Sequence, residues 1–372
     1  MNILIAGDFC PQKRVARLFD KREYEIVLGD VKPIIEEADY SIVNYECPVT
    51  LGAEKPILKC GPNLFSSEKG LEAAKWAGFD CVTLANNHFL DYGKEGAENT
   101  INTCRTIGLD KVGGGLNLCE ASQILYKELC GSKIGIINCC EHEFSIATET
   151  TAGSNPLNPV QQFYAITEAR KNAEYVLVIV HGGHEHFQLP SPRMQELYRF
   201  FIDAGADAVV NHHQHCYSGY ELYKDKPIVY GLGNFCFDWP EVKNGIWNKG
   251  YMVIISFEKV INTKFVPYDQ CSETPAVKVI LDKTEFERNI KELNDFISNK
   301  NKLTDAVNKY YQSCQNQYSY IFEPIRHRVF YALKSRGWLP SFITTKRKLV
   351  AADFVGCESH RDKLLFYLYG NK

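Results

Sequence analysis

The sequence predicts an α/β layered fold with two sheets and a helical C-terminal appendage. Three observations carry that prediction. Apolar, strand-like runs alternate with polar, helix-friendly stretches over the first two thirds of the chain. Antiparallel strand patterns then follow one another with few helices between them. From Thr284 to Lys372 the chain is polar and helical in pattern, and motifs cease. The boundary is therefore placed at 283, giving a main domain over 1–283 and an extension over 284–372.

The elements follow in order. NILIAG (2–7), DYSIVNYE (39–46) and DCVTLAN (80–86) are apolar runs of strand length. SSEKGLEAAKWAG (66–78) is a helix, and GKEGAENTINTCRTIG (93–108) is another closed by Gly108. QILYKEL (123–129) and KIGIINCC (133–140) form a hairpin around Gly131. EYVLVIVHGG (174–183) is a buried strand. SPRMQELYRFFIDAG (191–205) has a Ser-Pro start and a Gly end, which predicts a helix. DAVVNHHQH (207–215) reads as a strand to its end. YELYKDKPIVYGLGNF (220–235) reads as two strands around Lys224, Asp225 and Lys226, and GYMVIISFE (250–258) and AVKVIL (276–281) continue the β-rich part.

Composition bounds the function. The chain has 372 residues, 45% hydrophobic and 23% charged, enough to bury a large core. A formal net charge of −3 gives no global pull toward nucleic acid. No run approaches the roughly 18 apolar residues that span a bilayer. MNILIAGDFC reads as a first strand and not as an export signal. The expected location is cytoplasmic, with peripheral contact at the inner membrane as an alternative. None of the 14 cysteines has C-x-x-C spacing, so they are expected to be reduced, buried thiols.

Residues able to bind metal stand at successive strand ends: Asp8, then Asn44 and Glu46, then Asn87 and His88, then His181, then His213 and His215. In open α/β sheets ligands bind outside the carboxyl ends of strands. Carboxylates and imidazoles with an amide suit manganese, iron or zinc. A pair of such ions lowers the pKa of a water and clamps a phosphoryl oxygen. Strand alternation would put His213 and His215 on one face and His212 on the other.

GDFCP, NYECPVT, LANNHFLDYGKEG, VIVHGGHE, DAGADAVVNHHQH and KPIVYGLGNFCFD occur in this order between Met1 and about Val266. On these stretches the chain resembles the bacterial capsule biosynthesis (CapA) or poly-γ-glutamate synthesis family, which is related to the calcineurin-like metallophosphoesterases. The resemblance implies a four-layer α-β-β-α sandwich with its site at the strand ends. It implies Asp8, Glu46, Asn87, His181, His213 and His215 as metal ligands, with Glu46 bridging. It implies His88 as the proton donor, oriented by Asp91. The first phosphoesterase motif is D-x-H, whereas here it is Asp8-Phe9-Cys10, so a ligand is lost or replaced by the Cys10 thiolate. One ion or two are therefore both compatible. Asn44, Lys59, Glu185 and Asn234 are expected to face substrate. Glu141, His142 and Glu143 read as a solvated loop.

Two functions follow. The first is a metal-dependent hydrolase of a phosphoester or related bond in capsule, polyglutamate or envelope polysaccharide metabolism, acting on an anionic small molecule or polymer. The second is a non-catalytic accessory of an anionic-polymer synthesis or export machine, partnered by capsule-synthesis proteins. The last fifty residues are basic (Arg326, Arg328, Lys334, Arg336, Lys346, Arg347, Lys348, Arg361, Lys363, Lys372) with interleaved aromatics. They read as a docked helical appendage, or as a contact for anionic lipid or an acidic partner.

Overall fold

The computed structural model describes residues 1–322 and 344–369; for 315–322 and 369 it describes the backbone alone. Of the basic tail, Arg326, Arg328, Lys334, Arg336 and Lys372 lie outside the described residues.

The strands are β1 (Asn2–Cys10), β2 (Tyr40–Tyr45), β3 (Cys81–Thr83), β4 (Asp110–Val112), β5 (Gly114–Gly115), β6 (Leu125–Leu129), β7 (Ser132–Cys140), β8 (Gly153–Ser154), β9 (Tyr175–His181), β10 (Ala208–His212), β11 (Tyr220–Tyr223), β12 (Lys226–Val229), β13 (Asn234–Phe237), β14 (Lys249–Ser256), β15 (Asn262–Gln270) and β16 (Val277–Val279). The helices are α1 (Lys13–Asp20), α2 (Tyr24–Leu28), α3 (Lys32–Glu36), α4 (Glu68–Trp76), α5 (Gly93–Ile107), α6 (Leu118–Ala121), α7 (Pro159–Asn172), α8 (Pro192–Ala204), α9 (Thr284–Ser298), α10 (Lys300–Phe322), α11 (Thr345–Gly356) and α12 (Glu358–Tyr369).

Two sheets account for most strands. One runs β16-β15-β14-β1-β2-β3-β4, with β13 also on β1; the other runs β11-β12-β10-β9-β7-β6. The central pairs β1–β2, β2–β3, β7–β9 and β9–β10 are parallel. Their carboxyl ends therefore point the same way, and His181 pairs in register with His212 while Asp8 pairs with Asn44.

Alternation along the strands builds the layers. Ile3 and Ile5 of β1 meet Ile136, Leu177, Ile179 and Val210 of the second sheet. Leu4 and Ala6 turn outward onto Phe19, Leu71 and Ala97 of the first helical layer. Val178 and Val180 turn the other way, onto Tyr198 and Phe201 of α8. Apolar cores on both faces of both sheets make a four-layer α-β-β-α sandwich. Among the described residues the extension packs on the main cores: Phe286 and Ile290 join the cluster between the sheets, and Ile297, Leu303 and Val307 join the one under α8.

Two local readings differ from the sequence expectation, and a third element, Asn262–Gln270, is a strand that the sequence reading passed over. The strand expected over 207–215 ends at His212, because His213 (φ 91°) and His215 (φ 54°) adopt left-handed backbone. The run 80–86 gives only Cys81–Thr83 as strand. Asn262–Gln270 contains Pro267, which weakens its strand signature, yet it pairs with β14 along its length. Gly7 fits a close crossing: a Cβ there would sit 1.9 Å from the Gly233 carbonyl oxygen, which accepts from the Asp8 N–H at 3.1 Å. Gly7→Ala is expected to destabilise the fold by about 1–3 kcal/mol or more, read from urea denaturation, and to push Asp8 out of register.

Candidate metal centre

The parallel strand ends bring together all eight metal-ligand and acid–base residues proposed from the sequence. Asp8, Glu46, Asn87, His88, Asp91, His181, His213 and His215 are all buried. His181 Nε2 lies 3.1 Å from Asn87 Oδ1, 3.1 Å from His213 Nδ1 and 3.5 Å from Glu46 Oε1. A tetrahedral ion with bonds of about 2.1 Å has ligand–ligand edges of about 3.4 Å, so this spacing fits one divalent ion. A second group also includes Glu46. His215 Nδ1 is 3.6 Å from Asp8 Oδ2, and His215 Nε2 is 3.8 Å from Glu46 Oε1. Glu46 is common to both groups.

The protein leaves Glu46 uncompensated. Neither of its buried oxygens has a hydrogen-bond partner among the described residues. Burial and the nearby charges of Asp8 and Glu185 push its pKa well above the usual carboxylate range. A buried carboxylate without donors is costly unless a cation joins it. Burial also pulls His181 well below its ordinary pKa, helped by the neighbouring imidazoles. His215 is lowered by burial against opposing pulls from Asp8 and Glu185. Neutral imidazole is the ligating form. His213 goes the other way: burial lowers it, but Glu143, Glu185 and Glu141 together outweigh that and raise it. The donors and the orphaned carboxylate thus suit manganese, iron or zinc.

Outer contacts aim the ligands. Asn87 Nδ2 donates to Glu143 Oε2 at 2.8 Å, which turns its Oδ1 toward His181. Asn234 Nδ2 donates to the carbonyls of His215 and Trp247, so its Oδ1 accepts from His215 Nδ1 at 2.9 Å and leaves Nε2 for an ion. Asn44 Nδ2 donates to Asp8 Oδ1 at 2.7 Å. Asn44 and Asn234 are buried and hold ligands. Asn86 donates to the Tyr45 carbonyl and its Oδ1 accepts the His88 N–H, which shapes the turn after β3.

His88 Nδ1 donates to Asp91 Oδ2 at 2.6 Å, so Nε2 is the nitrogen left for chemistry. Lys59, proposed from the sequence to face substrate, lines the cavity beside His88 and is ion-paired with Asp91; both side chains are almost fully buried. Asp91→Asn would strand the Lys59 charge and is expected to cost about 3–5 kcal/mol. Denaturant melts check this, and Asp91→Asn with Lys59→Met should recover much of the loss. Glu185 is exposed at the mouth of the site. Its carboxyl is drawn down to about 2, because His213, His215 and His186 outweigh its desolvation. Cys10 is no ligand in this arrangement: it packs in the outer core, and burial raises its thiol.

Two groups escaped the sequence reading. Glu141 and Glu143, read as a solvated loop, follow β7 at the same edge as the ligands; Glu141 is buried and Glu143 contacts Asn87. The strand-end rule that found His181 would have found them. The second group is in the extension. A cavity of about 320 Å³ is lined by Asn87, His88 and Glu143 on one side and by Val350, Asp353, Phe354 and His360 on the other. A larger cavity, about 550 Å³ between α8 and the start of α10, includes none of the ligands.

Residues 2–239 match the model of the bacterial capsule synthesis protein PGA_cap. The chain is 34% identical over 254 residues to the "Capsule biosynthesis protein CapA" of Bacillus anthracis, covering 66% of this chain and 62% of that protein. It is 32% identical over 242 residues to the "PGA biosynthesis protein CapA" of Bacillus subtilis (strain 168), covering 64% and 63%. The chain thus spans slightly less than two thirds of the length of these relatives. A 5'-nucleotidase precursor from Thermus thermophilus superposes with a TM-score of 0.41 at 11% identity, over 75% of this chain and 54% of that one. With the family model matched over well more than half of its residues, the chain belongs to the bacterial PGA_cap capsule synthesis family.

Proposed function

We propose that this protein is a metal-dependent hydrolase of a phosphoester or related bond, working in capsule, polyglutamate or envelope polysaccharide metabolism. One observation carries the reading: Glu46, buried without a donor among the described residues, is common to two sets of ligand atoms. The names of the relatives from Bacillus support the metabolic setting.

Asp8, Glu46, Asn87, His181, His213 and His215 would hold one or two ions. When bound, the ions would lower the pKa of a water and neutralise charge on the phosphoryl oxygens. His88 would hold a proton on Nε2 and give it to the leaving oxygen, while Asp91 keeps the ring oriented through Nδ1. Reconstitution with manganese, iron and zinc tests this on p-nitrophenyl phosphate and bis(p-nitrophenyl) phosphate. Turnover that a chelator abolishes and metal restores is expected. A chain that binds no divalent ion and turns over neither ester would overturn it.

The second reading, an accessory role in polymer synthesis, is favoured by the name of a relative from Mycobacterium tuberculosis, 27% identical and titled a probable polyglutamine synthesis accessory protein. No described helix is long and apolar enough to cross a membrane. Contact at the inner membrane would be peripheral, through the run Lys346, Arg347, Lys348 on α11. Flotation with anionic liposomes tests that contact.

A further inference from the structure

The strand-end ligands lie within the family match, but one wall of the cavity beside them does not. Val350, Asp353 and Phe354 come from α11 and His360 from α12, more than a hundred residues beyond residue 239. Opposite them stand Asn87, His88 and Glu143 of the metal centre, with Phe144 and Glu185 beside.

The wall is held by a partly buried polar clasp. Arg193 Nη2 donates to Glu141 Oε1 at 2.7 Å and Arg193 Nε donates to Asp362 Oδ2 at 2.8 Å. Ser359 Oγ donates to Glu141 Oε2 at 2.6 Å. The His142 N–H donates to Glu358 Oε2 at 2.9 Å, and its Nδ1 meets Oε1 at 2.6 Å. Tyr311 of α10 packs on Phe366 of α12, with ring centroids 5.5 Å apart. Glu141 and His142 belong to the loop whose Glu143 orients Asn87, so wall and metal centre share one support.

We propose that α11 and α12 form the outer wall of the catalytic chamber and select the leaving group of the substrate. The chamber, about 320 Å³, is at the small end of ligand pockets. It accommodates one ring-sized group, a sugar or an aryl ring, attached to the phosphoryl end held at the ligands. Phe144 on one side and Phe354, stacked on His360 at 5.0 Å on the other, offer flat faces to such a ring. The substrate class is therefore a compact end group, in preference to an internal bond of a continuous polymer. This rests on the hydrolase reading above.

The test uses the full chain loaded with manganese and reads the ratio of phenyl phosphate affinity to inorganic phosphate affinity by calorimetry. Val350→Trp fills the chamber from a half-buried position and touches no ligand. It is expected to lower that ratio by about tenfold or more, the scale on which pockets sense ring-sized changes, with manganese content unchanged. Phe354→Ala enlarges the chamber and should favour 1-naphthyl phosphate over phenyl phosphate relative to wild type. Ratios unchanged in both variants overturn the wall. If wild type still turns over p-nitrophenyl phosphate in that case, the hydrolase reading stands without it. Wild type that binds neither manganese nor phosphate overturns both.

Discussion

Glu46→Gln is expected to strip metal from the site and, at the same time, to stabilise the metal-free chain. The two effects have one cause. Glu46 is buried beside His181 and His215, and among the described residues neither oxygen has a donor. In the metal-free chain that carboxylate must bind a proton or bear an unpaired buried charge. Glutamine removes the charge at nearly the same size. Removing a ligand shared by both ions should cost more than the roughly 10–100-fold that outer-contact changes cost in metal affinity, and activity should fall with it. The metal-free variant should melt a few degrees above metal-free wild type.

The pH dependence has a definite sign. The folded pKa of Glu46 lies well above its ordinary value of 4.5. The folded state therefore holds a proton that the unfolded chain has released. Stability from this group is complete below 4.5 and is lost as pH rises through the raised pKa. Metal-free wild type should thus lose stability with rising pH over that window, Glu46→Gln should not, and added metal should restore wild type. Thermal melts across pH, with and without manganese, check all three.

His88→Gln is expected to lower turnover by about 10²–10⁴-fold on an alkyl phosphate, with metal content unchanged. The loss should be much smaller on p-nitrophenyl phosphate, whose leaving oxygen needs no proton. The split follows from position: the His88 ring is tied through Nδ1 to Asp91, which leaves Nε2 for chemistry, and His88 lines the chamber. A uniform loss across leaving groups would assign the ring a binding role and remove it as the acid.

Much of this candidate site was legible in the sequence because each proposed ligand lies near or just beyond the carboxyl end of an apolar run. An apolar run that stops at Asp8, Glu46, Asn87 or His181 announces both its direction and its cargo. His213 and His215 were legible as a pair, but for another reason than alternation. They reach the site through left-handed backbone after β10, a strained conformation that the neighbouring ligand contacts hold. Lys59 illustrates a limit: a lone cation looks free until its partner is known, and Asp91 is thirty-two residues away in the chain. The extension illustrates another. Its acids Asp353, Glu358 and Asp362 are few in a basic tail, yet they line the chamber or its clasp. Only tertiary packing brings Glu358 to His142, so no local pattern could announce it.

The sharpest form of the proposal is that Glu46, common to both ligand groups, is shared by two divalent ions. Anomalous diffraction at the manganese edge from crystals of the loaded protein tests it directly. Two peaks about 3.5–4 Å apart, one beside His181, His213 and Asn87 and the other beside Asp8 and His215, with Glu46 between them, are predicted. No peak in this cluster, or a single peak that Glu46 does not contact, would contradict the account.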